Sequence, residues 1–297
     1  MPDFSKMRAQ MERGAGFIAA LDQSGGSTPK ALALYGVEAG DYGSDDEMFA
    51  EIQRMRARIM QSPDFTSDKV IGTILFEKTL FEQVAGQPVP NYLWETRGVV
   101  PFLKIDKGLE DTADDAQVMK PIPGLAETLA SAREMGIFGT KERSVIHGAN
   151  PAGIARVVDN QMAVAKAVTD AGMVPIVEPE VNITSPTKAE AEAMLVAALS
   201  ERLDALAAGE DVMLKLTLPE TPGLYDVLAD HPRVLRVVAL SGGYSTDEAC
   251  ARLAQNHKMI ASFSRALTEG LRRDMSDDDF VAALGGNIQK SFEASLA

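Results

Sequence analysis

Positive charge is scarce in this chain of 297 residues: 29 Lys and Arg stand against 43 Asp and Glu, for a formal net charge of −14. Nucleic-acid backbones are held mainly by a surplus of Lys and Arg, so the charge argues against a general nucleic-acid binder, although local cations could still bind small phosphorylated molecules. Cysteine is scarcer still. Cys250 is the only one, which rules out an intramolecular disulfide and a cysteine-rich zinc site and points to a reducing compartment. The histidines, His147, His231 and His257, are scattered without metal-ligand spacing, which argues against a zinc that polarises a carbonyl. No apolar run approaches the ~20 residues that cross a bilayer, and the charged N-terminus does not read as a secretory leader. The expectation is a cytoplasmic protein with no metal, no nucleic-acid partner and no membrane partner. Also missing are Ser/Pro-rich linkers, like-charge blocks, solenoid repeats and a Walker-type loop, and the glycines near Ser24 lack Rossmann spacing.

What is present is an ordinary globular composition, 45% hydrophobic and 24% charged, read as a single domain over residues 1–297. Short apolar or β-branched runs alternate with longer stretches of helical spacing, the pattern of parallel strands joined by crossover helices. Strands are expected at Gly16–Leu21, Val70–Phe76, Val100–Ile105, Ile137–Lys141, Val174–Glu178, Val212–Leu216, Val234–Leu240 and Met259–Phe263. Eight such units give the α/β class and a (β/α)8 TIM barrel; an open doubly wound sheet shares the same pattern. Helices are expected at Asp46–Met60, at Ala152–Ala171 before Gly172, and at Lys188–Ala208 before Gly209, since glycine commonly follows a last helical turn.

Barrels build their sites at the C-terminal ends of their strands, and here those ends are polar. In chain order they carry Asp22, Lys104, Lys141 with Arg143, Glu178 with Glu180, Lys215, Ser241-Gly242-Gly243, and Ser262 to Arg265. Any one of these read alone is a solvated strand end or a buried ion pair. Held together in one pocket they are costly unless a ligand or a reaction uses them.

Lys215 stands out because Val212-Met213-Leu214 and Leu216 surround it with apolar residues. Burial and a neighbouring cation such as Lys141 both favour a neutral amine that can attack a carbonyl; the alternative is a lysine that snorkels to solvent or to Glu178. Glu178 and Glu180 lie two residues apart and share one face of an extended strand. One of two close carboxylates can shuttle protons, or can simply neutralise the lysines. Ser241-Gly242-Gly243 and Arg265 occupy the place after the last two strands where barrels often hold phosphate. The Asp22–Lys30 loop, with Ser27 and beside Lys104, offers a second anion cradle, or else a turn that caps the next helix. Two cradles at opposite sides suit a small molecule phosphorylated at both ends.

Together these segments resemble the class I fructose-bisphosphate aldolases, from about Gly16 to about Leu267. The resemblance is carried by Val174-Pro175-Ile176-Val177-Glu178-Pro179-Glu180, Lys141-Glu142-Arg143, Leu214-Lys215, Leu240-Ser241-Gly242-Gly243 and Ser264-Arg265-Ala266-Leu267. It implies Lys215 as the Schiff-base lysine, Glu178 as the general acid/base, Asp22 and Lys141 as orienting and charge-balancing groups, and Glu180 as a supporting carboxylate. It further implies Ser241, Gly242, Gly243 and Arg265 at the C1-phosphate end of a sugar phosphate, and Ser27, Lys104 and Arg143 at the C6 end. No cofactor is implied beyond the covalent intermediate with substrate, and a homo-oligomer remains open.

The chain departs from the animal enzymes in having no terminal tyrosine, in Gln23 where they have an acid, and in Glu142 where they have a tryptophan. In these respects it looks like the shorter bacterial type. The same chemistry on another ketose, such as tagatose 1,6-bisphosphate, and a non-catalytic sugar-phosphate scaffold are the alternatives.

Overall fold

In a computed structural model that describes residues 3–297, the expected strands form the wall of a barrel. They are β1 (Phe17–Leu21), β2 (Val70–Leu75), β3 (Val100–Lys104), β4 (Gly139–Ile146), β5 (Val174–Val181), β6 (Val212–Thr217), β7 (Val234–Leu240) and β8 (Met259–Ala261). Each pairs in parallel with the next, in sequence order. Consecutive parallel strands demand crossovers. These contain α2 (Ser27–Leu34), α3 (Asp45–Gln61), α4 (Leu125–Glu134), α5 (Pro151–Asp170), α6 (Lys188–Asp204) and α7 (Thr246–Leu253), with shorter helical turns such as Asp226–Ala229 elsewhere. Helix α1 (Phe4–Arg13) precedes the barrel and α8 (Asp277–Ala294) follows it. No helix among the described residues is long and apolar enough to cross a membrane.

Several boundaries move. Strands β4 and β5 run to Ile146 and Val181 rather than stopping at Lys141 and Glu178, so Lys141, Arg143, Glu178 and Glu180 lie inside strands and not at their ends. The reason is the register: β4 and β5 pair residue for residue from Gly139↔Val174 to Ile146↔Val181, with Lys141, Arg143, Glu178 and Glu180 on one face and Glu142, Ser144, Val177 and Pro179 on the other. Charges inside a wall interrupt an apolar run, and a proline normally argues against a strand interior, so both features imitate a strand end. Helix α6 stops at Asp204, before the expected Ala208; Gly209, at φ +94°, serves the turn into β6 instead. Helix α5 starts as its sequence dictates: the side chain of Asn150 accepts from the backbone N–H groups of Ala152 and Gly153, and Pro151 occupies the first turn. Gly16, at φ +144°, precedes β1 because a Cβ there would meet the carbonyl oxygen of Lys69 at 2.4 Å.

The wall separates two apolar cores. Outside it, Leu21, Leu75, Leu103, Val177, Leu214 and Ala239 pack against helical residues such as Ile52, Val157, Leu195 and Leu284. Inside it, Ile18, Ile74, Phe102, Ile176, Met213, Val238 and Ile260 form one layer with Met7 and Met11 of α1. Helix α1 therefore plugs the N-terminal end of the barrel. Only the C-terminal end is left for a site, and the period of two places Lys104, Glu178 and Lys215 directly above Phe102, Ile176 and Met213.

Candidate active site

Three adjacent strands and one loop deliver four charged groups to a single buried point. Lys141 comes from β4, Glu178 from β5, Lys215 from β6, and Asp22 from the residue after β1. Lys215 Nζ lies 3.1 Å from Glu178 Oε1. Lys141 Nζ lies 2.5 Å from Glu178 Oε2 and 3.0 Å from Asp22 Oδ2. Lys141, Glu178 and Lys215 are each no more than 4% exposed. Burial alone would push the Asp22 carboxyl up, but Lys141, then Lys215 and Lys104, outweigh it and hold Asp22 well below the usual carboxylate range. Lys141 is the mirror case: burial opposes its charge, yet Asp22 and Glu178 keep it protonated far beyond an ordinary lysine. Asp22 and Lys141 thus form a fixed ion pair, with Glu178 between Lys141 and the Lys215 amine.

Around this centre the other expected residues fall into three groups. Lys104 Nζ turns to Asp106, at 2.8 Å from Oδ1 and 3.1 Å from the carbonyl oxygen, and Asp106 also accepts from the backbone N–H of Arg143 at 3.4 Å. Arg143 Nη1 meets Glu180 Oε2 at 3.0 Å. Glu178 and Glu180 thus share a face but are bound by separate cations. At the far rim, Gly242 and Gly243 adopt φ of +61° and +131°, and a Cβ on Gly243 would lie 3.6 Å from Nη2 of Arg265. An exposed guanidinium beside a left-handed glycine turn at Ser241 is a site open to an anion. Ser27 is the exception. It is exposed, and its hydroxyl accepts from Ser24 N–H and donates to Ser24 O, both at 2.9 Å. Among the described residues no hydrogen bond joins it to Lys104 or Arg143. No cluster of three or more His, Cys, Asp and Glu side chains suited to a metal ion occurs among the described residues.

Comparison with known proteins decides the family. A family model described as class-I fructose-bisphosphate aldolase matches residues 5–218. The chain belongs to the class I fructose-bisphosphate aldolase family. A fructose-bisphosphate aldolase class 1 of Synechocystis sp. is 54% identical over 287 residues, 97% of this chain and 96% of that one. A fructose-bisphosphate aldolase from Plasmodium falciparum shares the fold, with a TM-score of 0.77 at 22% identity, over 99% of this chain and 94% of that one. A Corynebacterium glutamicum protein matches at a TM-score of 0.57 and 14% identity, over 98% and 92%.

Further residues around this cluster are not singled out by sequence alone. Asp106 anchors Lys104, a pairing that the sequence pattern does not reveal. Gln161 of α5 is fully buried and donates to Glu142 O at 3.1 Å, Ser144 Oγ at 2.9 Å and Glu178 O at 3.4 Å, bracing β4 and β5 from outside. Arg56 had a readable signal. It falls on the buried stripe Ile52, Met55, Arg56, Ile59, Met60 of α3, where a cation is out of place unless something holds it.

Glu142, on the outer face of β4, is fully buried. It accepts from Thr140 Oγ1 at 3.1 Å, and its Oε1 has no partner. Burial, helped by the charges of Asp106 and Glu178, pushes its carboxyl up to about 8. The folded protein then keeps a proton that the unfolded chain sheds above the ordinary value of 4.5, so stability falls as pH rises from there towards 8. Glu142→Gln removes this dependence. Its melting temperature should match the parent's near about pH 5 and exceed it by roughly 3–6 °C at about pH 8.5; a difference that does not change with pH would refute the assignment.

Proposed function

We propose that this protein reversibly cleaves fructose 1,6-bisphosphate to dihydroxyacetone phosphate and glyceraldehyde 3-phosphate through a Schiff base on Lys215. The observation that carries this reading is the buried Lys215–Glu178–Lys141–Asp22 cluster, at the one open end of the barrel in a chain of this family. Lys215 attacks the C2 ketone to give a carbinolamine. Glu178, in contact with the attacking nitrogen, donates the proton that lets the hydroxyl leave as water, and an iminium remains.

A base then takes the C4 hydroxyl proton, a role assigned to Glu178 in its carboxylate form. The C3–C4 electron pair moves into the iminium, the aldehyde departs, and an enamine is left on Lys215. Protonation at C3 and hydrolysis return the free amine and release dihydroxyacetone phosphate. Lys141 and Asp22 hold Glu178 and balance its charge through the cycle. Glu180 supports the cluster through Arg143.

Ser241, Gly242, Gly243 and Arg265 are assigned to the C1 phosphate. Lys104 and Arg143 are assigned to the C6 end, with Ser27 joining only if its loop reopens on binding. Held at both ends, the sugar is fixed over Lys215, and its binding energy is used for orientation. The electron sink is the iminium, so the reaction as assigned needs no metal and no cofactor. A single cysteine and a sugar-bisphosphate substrate fit a reducing, cytoplasmic setting, and residues 1–297 act as one catalytic unit.

Treatment with dihydroxyacetone phosphate and borohydride, followed by peptide mass analysis, tests the reading. A reduced adduct on Lys215 is expected, together with cleavage activity that a chelator leaves intact. Activity abolished by the chelator, or no adduct on any lysine, rejects it.

A further inference from the structure

The barrel wall has a seam at the site. Among the described residues no ladder joins β1 to β8, although the two strands approach within 8 Å. Asp22 follows β1 and Arg265 follows β8, so the reacting centre and the phosphate end assigned to Arg265 meet across this gap. A chain of side chains spans it. Gln23 Nε2 donates to Ser264 Oγ at 2.7 Å. Arg56 Nη2 donates to the carbonyl oxygen of Gln23 at 2.5 Å and, at 3.4 Å, to its side-chain oxygen. Arg56 is itself fixed: it is 1% exposed, its Nη1 donates to Thr79 Oγ1 at 2.9 Å, and its guanidinium lies 5.8 Å from the centre of the Phe76 ring.

These contacts have a direction. A guanidinium carries only donors, so it can take only the oxygen of the Gln23 amide, which turns the NH2 group towards Ser264. Ser264 Oγ accepts that bond and keeps its own proton to donate, one residue from Arg265. A carboxylate at position 23 would do the opposite, accepting the Ser264 proton and adding a negative charge beside an anion site.

We propose that Arg56 and Gln23 are positioning residues for the phosphate end of the site: they hold the β1 and β8 loops together across the seam and set the Ser264 hydroxyl as a phosphate donor. The proposal rests on the aldolase reading above. It extends that reading to three side chains that have no role of their own in it, one of them in the outer layer of helices.

Saturation of borohydride trapping by dihydroxyacetone phosphate separates the two. The full chain is compared with Gln23→Ala, Gln23→Glu, Ser264→Ala and the Gln23→Ala/Ser264→Ala double variant, each checked for an unchanged melting temperature. The expected result is the same final yield of Lys215 adduct in all of them. The half-saturating concentration should rise about tenfold in each single alanine variant, the worth of one hydrogen bond to a charged group. It should rise no further in the double variant, and at least as much in Gln23→Glu.

A role in packing alone predicts that the isosteric Gln23→Glu behaves like the parent. That result, or independent losses that multiply in the double variant, overturns the relay while leaving the aldolase reading standing. A parent protein that forms no adduct overturns both.

Discussion

Replacing Lys215 by Met should leave a folded protein in which cleavage falls by a factor on the order of 10⁴ or more and borohydride fixes no substrate carbon. The thioether copies the length of the lysine stem and meets the same apolar neighbours, so the wall of β6 is preserved. What disappears is the one amine that is both buried and in contact with Glu178 without being shared with Asp22. Lys141 cannot substitute: it is bound on two sides, by Asp22 at 3.0 Å and Glu178 at 2.5 Å, and those carboxylates hold its proton in place. Lys104 is likewise tied to Asp106. Turnover, adduct formation and thermal unfolding are the three measurements. An adduct that moves to Lys141 or Lys104, or activity within about a hundredfold of the parent, would show that the nucleophile has been misassigned.

The alternation of strands and helices was legible because the barrel strands are largely buried on both faces and read as short apolar runs, as at Phe17–Leu21 and Val70–Leu75. The limits of β4 and β5 were not, since the site interrupts the hydrophobic pattern where it enters the wall. The same interruption is what marks the candidate site: Lys141, Glu178 and Lys215 are charged residues at lumen positions. Spacing could not show which partner each would choose. Lys104 with Asp106, two residues further along the chain, and Arg143 with Glu180, on the neighbouring strand, are settled by side-chain reach. Ser27 was expected at the phosphate end from its place in a polar loop, but its own turn with Ser24 competes for the hydroxyl. Arg56 was concealed differently. It belongs to an outer helix and reaches the site through Gln23, and its signal, a cation on an apolar stripe, marks burial without naming a function.

Glu178→Gln should lower the maximal rate by roughly 10²–10⁴, the range expected when a general acid/base is lost, with a far smaller change in KM. The amide has the size of the carboxylate, and its oxygen can still accept from Lys215. It cannot donate and regain a proton, so both loss of water from the carbinolamine and removal of the C4 hydroxyl proton slow together. Lys141 keeps Asp22 as its counter-ion. The buried cluster nevertheless trades a negative charge for a neutral group, and unpairing a buried ion pair costs about 3–5 kcal/mol when nothing replaces the partner. A melting temperature lowered by several degrees is therefore expected alongside the kinetic loss. The variant should still accumulate the Lys215 adduct, slowly, during long incubation with dihydroxyacetone phosphate and borohydride, because the nucleophile is intact and only its proton traffic is impaired. Lys215→Met should never do so. This difference separates a chemical role for Glu178 from a structural one: if the Glu178→Gln variant melts lower but turns over at the parental rate, the carboxylate is only a counter-ion for the two lysines, and another group must move the protons.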